Sequence, residues 1–504
     1  MTGVRSLQRF LPDDAATFRL GEDLAMALKA GDVLLLDGDL GAGKTTLARG
    51  LIRALASDPL HEVPSPTFTL VQSYETPVPV HHFDLYRLSS SDELEELGFD
   101  EAVASGIALV EWPERAADAM PATSLRLGLE HEGEGRRVTL SGQGDAFDRV
   151  ARSLAMRDFL FTAGCGEARR ARFPGDASAR AYETVARAGH DTLVLMNSPR
   201  LVLGPPVRDG KPYAEIAHTA QSVAAFVAID RALAAGGVTV PGIVAQDLDQ
   251  GFLLLEHLGS GAFLDAEGRP VAERYAAAAE LLAMVHCKHW DDRLEAAIGV
   301  VHQVPPFDRE ALMIEVDLLV DWYVPAVSGA PASAELRNGY RAAWNAVFDR
   351  LADKQYGLVL RDYHSPNIIW RAGKNGFDRL GIVDFQDALI GPVAYDVASL
   401  AMDARVTVSP GLENSTVAAY VAARHAAGDF DETAFREAYA IMAAQRNSKI
   451  LGIFVRLDRR DGKPQYLKHL PRIRDYLHRA LAHPTLAGLR DFYRDNRLLE
   501  EFDA

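Results

Sequence analysis

Two groups of residues in this chain combine types and spacing suited to phosphoryl chemistry. The first is the run Gly38-Asp39-Leu40-Gly41-Ala42-Gly43-Lys44-Thr45. A polyphosphate is held best by inward-pointing backbone N–H groups. Glycines permit that close approach, and a following helix N-terminus adds roughly half a positive charge. In such a loop Lys44 reaches the β- and γ-phosphates of ATP and the Thr45 hydroxyl takes one position on Mg²⁺. Gly38, Asp39, Gly41, Ala42, Gly43 and Thr46 complete the cradle. Phosphoryl transfer also needs carboxylates that place the metal and orient the attacking water. Asp84 and Glu111 are the candidates, because each closes an apolar run, Val80-His81-His82-Phe83-Asp84 and Ile107-Ala108-Leu109-Val110-Glu111.

The second group is Arg361-Asp362, Asn367 and Asp384. In a kinase arrangement the Asp of the catalytic loop accepts the proton of the substrate hydroxyl. The Asn five residues on, together with the Asp ending the next strand, holds Mg²⁺. Asp362, Asn367 and Asp384 have those spacings. Leu360 stands where such loops carry a histidine, and Phe385-Gln386-Asp387 replaces Phe-Gly.

Local elements must place these groups. Val33-Leu34-Leu35-Leu36 reads as a buried strand before the glycine loop, and residues 46–55 as an amphipathic helix after it. Asp84 and Glu111 then emerge at the carboxyl ends of parallel strands, where open α/β sheets bind ligands. Residues 65–69, flanked by Pro64 and Pro66, cannot be helical. They form either a switch-type loop beside the phosphates or an ordinary rigid one. In the second group, two short strands around Gly373-Lys374-Asn375-Gly376 predict a hairpin that brings Asn367 beside Asp384. Farther upstream, the turn 173–184 between two strands is expected to cover a nucleotide. Met196 occupies the place of the usual strand lysine, which leaves Arg180 as the candidate phosphate cation. Gly251-Phe252-Leu253-Leu254-Leu255-Glu256-His257-Leu258-Gly259 reads as a strand entering a hinge, where backbone groups of Glu256 and Leu258 would bind adenine.

Residues 1–147 resemble the TsaE family, through the glycine loop, Ser65-Pro66-Thr67-Phe68-Thr69-Leu70, His82-Phe83-Asp84-Leu85-Tyr86-Arg87-Leu88 and Val110-Glu111-Trp112-Pro113. The resemblance implies an α/β P-loop NTPase domain that hydrolyses Mg-ATP. It also implies work with TsaB/TsaD-type partner proteins in making threonylcarbamoyladenosine in certain tRNAs, with Trp112 in the nucleotide pocket or, alternatively, packing as a lid. Residues 156–504 resemble the aminoglycoside phosphotransferase-like kinases, closest to the AmgK branch. Gly175-Asp176-Ala177-Ser178, Arg361-Asp362-Tyr363-His364, Asp384-Phe385-Gln386-Asp387-Ala388 and Gln445-Arg446-Asn447 carry that likeness. It implies a bilobal α+β protein-kinase-like fold and ATP-dependent phosphorylation of the anomeric hydroxyl of N-acetylmuramate and N-acetylglucosamine. Gln445 and Arg446 lie on a helix face turned either to substrate or to solvent. Residues 148–155 are expected as the linker. Two other readings of the second domain stay open: a kinase of another small alcohol, aminoglycoside or choline-like, and a pseudokinase binding module. The first domain is alternatively a nucleotide sensor.

Composition narrows the classes. The chain has 504 residues, more than one hydrophobic core usually supports. Its 53 basic and 70 acidic residues give a net charge of −17, which opposes strong direct binding of nucleic acid, so any role in tRNA modification is expected to run through protein partners. Cys165 and Cys287 form no CxxC pair, the histidines form no metal pattern, and no apolar run reaches membrane length. No charged-then-apolar leader precedes Phe10, so a cytoplasmic enzyme with no membrane contact is expected.

Overall fold

The computed structural model describes residues 3–173, 180–351 and 355–501. The expected turn at Gly175-Asp176-Ala177-Ser178 lies outside the described residues. The chain forms two compact units, one of Met1–Asn197 and Val244–His257, the other of Ser198–Ile243 and Leu258–Ala504.

The first unit begins with β1 (Arg5–Leu11), α1 (Asp14–Ala27), β2 (Val33–Asp37), α2 (Lys44–Ala56), β3 (Val71–Tyr74) and β4 (Val80–Asp84). After the short helices α3 (Asp92–Glu96) and α4 (Phe99–Ser105) come β5 (Ile107–Glu111), β6 (Leu125–Glu132) and β7 (Gly135–Gly142). These strands make one mixed sheet in the order β1-β7-β6-β2-β5-β4-β3. Its centre is parallel: β2 pairs with β5 and β6, and β5 with β4. Parallel strands buried on both faces need continuous apolar runs, which the β2 and β5 sequences supply.

Helix α5 (Gly144–Thr162) follows. The expected linker, 148–155, is therefore the middle of a helix. Between Gly144 and Gly164 the sequence has neither glycine nor proline to stop it. Its first half sends Phe147, Val150 and Leu154 into the core beneath the seven-stranded sheet. Its second half sends Met156, Phe159 and Leu160 into another core with Val185, Leu195, Phe252 and Leu254. That core lies under β8 (Arg169–Arg172), β9 (Ala181–Ala186) and β10 (Leu193–Asn197).

An excursion belonging to the second unit carries β11 (Pro206–Arg208), β12 (Lys211–Pro212), α6 (Tyr213–Ile216) and α7 (Val223–Ala235). The chain then adds β13 (Ile243–Asp247) and β14 (Phe252–Glu256), completing a sheet in the order β13-β14-β10-β9-β8. A buried charge cluster ties α1, α5 and this sheet together. Asp23 accepts from Arg157 Nη2 at 2.8 Å and Arg170 Nη1 at 2.7 Å, and Arg170 Nε donates to Glu183 at 2.6 Å.

The second unit continues with α8 (Ala272–His286), β15 (Arg293–Ala297), β16 (Val300–Gln303), α9 (Arg309–Leu318), α10 (Val324–Ser328) and α11 (Ala334–Phe348). Four short strands follow: β17 (Tyr356–Val359), β18 (Ile368–Trp370), β19 (Leu380–Ile382) and β20 (Leu389–Pro392). Helices α12 (Ala394–Ala401), α13 (Pro410–Ala427), α14 (Glu432–Arg459), α15 (Leu470–Leu481) and α16 (Ala487–Asp495) complete it. β18 and β19 form an antiparallel hairpin pairing Ile368 with Ile382. Helix α14 is central and packs on α9, α12 and α15. Gly452 permits the α9 contact, because a Cβ there would lie 2.2 Å from the Leu318 carbonyl oxygen.

Candidate functional site

The glycine loop joins β2 to α2, with Gly43 immediately before the helix. Gly38 cannot be replaced without movement: its φ is +142°, and a Cβ would sit 2.6 Å from the Leu129 carbonyl. Lys44 Nζ donates to the carbonyls of Gly38 at 2.5 Å and Asp39 at 3.0 Å and lies 4.0 Å from the centre of the Trp112 ring. Burial lowers the Lys44 pKa, while Glu111 and Asp84 act to keep it charged. The Thr45 hydroxyl donates to Glu111 Oε1 at 3.0 Å. In the parallel β4–β5 pairing Asp84 stands opposite Glu111, so two carboxylates end adjacent strands beside the loop. Asp84 Oδ2 accepts from Thr67 Oγ1 at 2.6 Å and Ser65 Oγ at 3.3 Å, which fastens the 65–69 loop to the carboxylate. A cavity of about 280 Å³ is lined by these groups, with Gly41, Thr46, Tyr86 and Trp112. Ala42 is buried in the underlying core rather than in the cavity wall.

Two residues absent from the sequence expectations support this site. His82 Nε2 lies 3.0 Å from Glu111 Oε1 and is fully buried, although its sequence context gave only a histidine in a strand. Arg136 on β7 approaches Gly43 and pairs with Asp14 at 2.7 Å. Trp112 has φ of +59° and a tilted contact with Tyr86 at 5.0 Å.

In the second unit the hairpin brings Asn367 to Asp384. Asn367 Nδ2 lies 2.9 Å from the Asp362 carbonyl oxygen and 3.4 Å from Asp384 Oδ2, and Val383 N donates to the Asn367 carbonyl at 3.1 Å. Gln386 Nε2 donates to Asp384 Oδ1 at 2.9 Å. The loop is held from below: Leu360 N and Arg361 N donate to the Asp396 carboxylate at 2.6 and 2.8 Å. Arg361 and Asp384 both adopt positive φ, at 71° and 61°, so these hydrogen bonds hold a backbone that a free chain rarely takes.

Around Asp362 lies a charge cluster that no local spacing announced. Buried Glu315 accepts from Lys449 Nζ at 2.6 Å and Gln445 Nε2 at 2.8 Å and pairs with Arg361. Burial alone would raise the Glu315 pKa, but Lys449 and Arg361 hold it down at about 2. Burial likewise acts to raise Asp362, and Lys449, His364, Arg446 and Arg361 outweigh it, keeping the pKa below the ordinary value and the carboxylate ionised. The solvent-facing alternative for Gln445 and Arg446 is excluded, since they are 0% and 5% exposed.

The remaining expected residues fall as follows. Met196 is buried in β10 between Tyr182 and Leu253. Arg180 immediately precedes β9. Glu256 ends β14 with an exposed side chain, and Leu258 opens the next stretch of the second unit, packed against Gly381. Among the described residues no cluster of three or more His, Cys, Asp or Glu side chains is arranged for a metal, and no helix is long and apolar enough to cross a membrane. The first site offers the Thr45 hydroxyl and the carboxylates of Asp84 and Glu111, and the second the Asn367 amide and the Asp384 carboxylate, oxygen donors that suit a hard cation completed by phosphate and water.

Comparison with known proteins finds a different family along each of two stretches of the chain. Residues 11–139 match the family described as Threonylcarbamoyl adenosine biosynthesis protein TsaE, and residues 170–438 match the Phosphotransferase enzyme family. An N-acetylmuramate/N-acetylglucosamine kinase of Caulobacter vibrioides is 34% identical over 352 residues, covering 68% of this chain and 96% of that protein. The similarly named kinase of Pseudomonas putida is 34% identical over 325 residues, 62% of this chain and 84% of its own length. The tRNA threonylcarbamoyladenosine biosynthesis protein TsaE of Rickettsia felis is 39% identical over 129 residues, 25% of this chain and 75% of that protein.

Proposed function

We propose, on the premise that the chain belongs to the TsaE family over residues 11–139 and to the phosphotransferase enzyme family over residues 170–438, that it is a two-activity enzyme. One activity is an ATPase that supports threonylcarbamoyladenosine formation in tRNA. The other is an ATP-dependent kinase acting on the anomeric hydroxyl of N-acetylmuramate and N-acetylglucosamine, a step of cell-wall recycling. The dividing point near residue 148, with the ATPase domain at 1–147 and the kinase domain at 156–504, is part of the same reading.

The observation that carries it is the pairing, on one chain, of two sets of phosphate-handling residues with relatives of matching name. In the first, the glycine loop holds the polyphosphate, Lys44 meets its β- and γ-oxygens, and Asp84 with Glu111 orients water. Thr45, Asp84 and Glu111 would hold Mg²⁺ there, and Asn367 with Asp384 in the second. When bound, the ion neutralises charge that develops on the phosphate oxygens. Asp362, kept ionised by its cationic neighbours, accepts the proton of the sugar hydroxyl as that oxygen attacks phosphorus. The acceptors named for the relatives favour an amino sugar over an aminoglycoside or a choline-like alcohol.

Partners of the TsaB/TsaD type fit the first activity, since the net charge of −17 disfavours direct grip on tRNA. The setting proposed is the cytoplasm. The test is phosphorylation of both sugars by wild type, Asp362→Asn and Lys44→Ala proteins, with the phosphate position read by NMR. Anomeric phosphate lost only in Asp362→Asn is the expected result. Absence of product from either sugar with the wild type would sink the kinase assignment. For the ATPase, failure of the chain to restore modified tRNA in cells lacking their own TsaE would point to a nucleotide sensor instead.

A further inference from the structure

The middle of α14 reads Gln445-Arg446-Asn447-Ser448-Lys449, five polar residues with exposures of 0, 5, 1, 0 and 8%. Burying polar and charged groups is costly unless each finds a partner. Four of the five do. Gln445 and Lys449 share Glu315, Asn447 Nδ2 donates to the Ala443 carbonyl at 2.8 Å, and Ser448 meets Tyr493 Oη at 2.8 Å. Both oxygens of Glu315 are thereby engaged, with Arg361 as a third partner.

Arg446 is different. Like Gln445 Oε1 and Asn447 Oδ1, its Nε is buried with no hydrogen-bond partner, but among the described residues Arg446 alone of the five makes no side-chain hydrogen bond or ion pair. Its guanidinium lies 5.7 Å from the centre of the Tyr395 ring, the ring that Lys449 also approaches. A buried guanidinium facing an aromatic ring, with planar donors unspent, is built for an anion with two oxygens.

Resting on the kinase reading, we propose that Arg446 is the specificity residue for an acidic acceptor and binds the carboxylate of N-acetylmuramate, a group N-acetylglucosamine lacks. Placement favours the acceptor over the nucleotide. Asn367 and Asp384, the metal side, come from the β18–β19 hairpin, whereas Arg446 comes from α14, packed on α9, α12 and α15. In-line transfer sets the phosphoryl group on the metal side of the attacking oxygen and leaves the rest of the sugar on the other. Asp362 must touch that oxygen, and Arg446 is close enough to help hold Asp362 ionised. A cation near the base, carried by α14 rather than by the hairpin, therefore faces the body of the sugar.

The test compares kcat and KM of the full chain for N-acetylmuramate, its methyl ester and N-acetylglucosamine, in wild type, Arg446→Gln and Arg446→Lys. Removing the charge from the ligand spares the protein, so the ester arm does not depend on how a variant folds. Wild type is expected to lose about tenfold to a hundredfold in kcat/KM on going from acid to ester, mainly through KM. Arg446→Gln should treat acid and ester alike, lose clearly more kcat/KM on N-acetylmuramate than on N-acetylglucosamine, and be partly rescued by Arg446→Lys. Equal use of acid and ester by the wild type overturns the proposal, as does an equal loss for both sugars in Arg446→Gln. Phosphorylation of neither sugar by the wild type would remove the kinase reading and the subsite together.

Discussion

Each unit of the molecule buries a cluster of charges, and the two are built on different principles. In the first, Asp23 and Glu183 face Arg157 and Arg170, and the arginines spend their remaining donors on the carbonyls of Ser153, Gly166 and Ala168. Burial works against the charge on Arg170, yet Glu183 and Asp23 raise its pKa further. The set is balanced and every guanidinium is satisfied. In the second, Glu315 serves Arg361, Lys449 and Gln445, while Asp362 is half-buried and Arg446 lacks a carboxylate. A closed cluster holds chain to chain, and an unfinished one is where a substrate completes the pairing.

That contrast can be broken most forcefully at Asp23. Asp23→Asn leaves Arg157 and Arg170 buried around a neutral side chain, and should cost the first unit about 3–5 kcal/mol, read as a fall in its melting temperature. Replacing the four charges together by apolar residues of similar volume should restore most of the loss, whereas a merely additive fall would show that the cluster is not a closed set.

The second cluster predicts a pH signature. Because the Glu315 pKa is about 2 when folded against a usual 4.5, its stabilisation is fully present above pH 4.5 and is lost as pH falls toward 2. The size is about 3 kcal/mol, and Glu315→Gln should flatten that limb of the stability profile for the second unit. An unchanged acid limb in the variant would mean that other carboxylates govern it. The smallest effect should come from Gln445→Leu, which removes one neutral donor from a carboxylate that keeps two cations. About 1 kcal/mol in chemical denaturation is expected.

How far the sequence disclosed all this follows from distance along the chain. The glycine loop is one contiguous run whose chemistry lies in the backbone, so Gly38 to Thr45 could be read directly. Asn367 and Asp384 are joined by a local hairpin, and a turn signal sufficed to bring them together. Glu315 and Lys449 are 134 residues apart, so only the packing of α9 on α14 reveals their bond. The same holds for His82, whose partner Glu111 sits on a neighbouring strand. Periodicity called α14 amphipathic, with a polar face that could have met solvent. Its polar middle is instead surrounded, because tertiary contacts decide what a helix face meets. Nor could the sequence show that the expected linker is one helix serving two cores, since Phe147 and Phe159 look alike until their neighbours are known.

Helix α5 has a consequence for the cell's bookkeeping of molecules. Because Val150 and Leu154 belong to one core and Phe159 and Leu160 to the other, a gene break at the apparent boundary would divide a single helix and strip apolar cover from both products. Expression therefore delivers the two catalysts as one inseparable copy each. Their stoichiometry is fixed at synthesis.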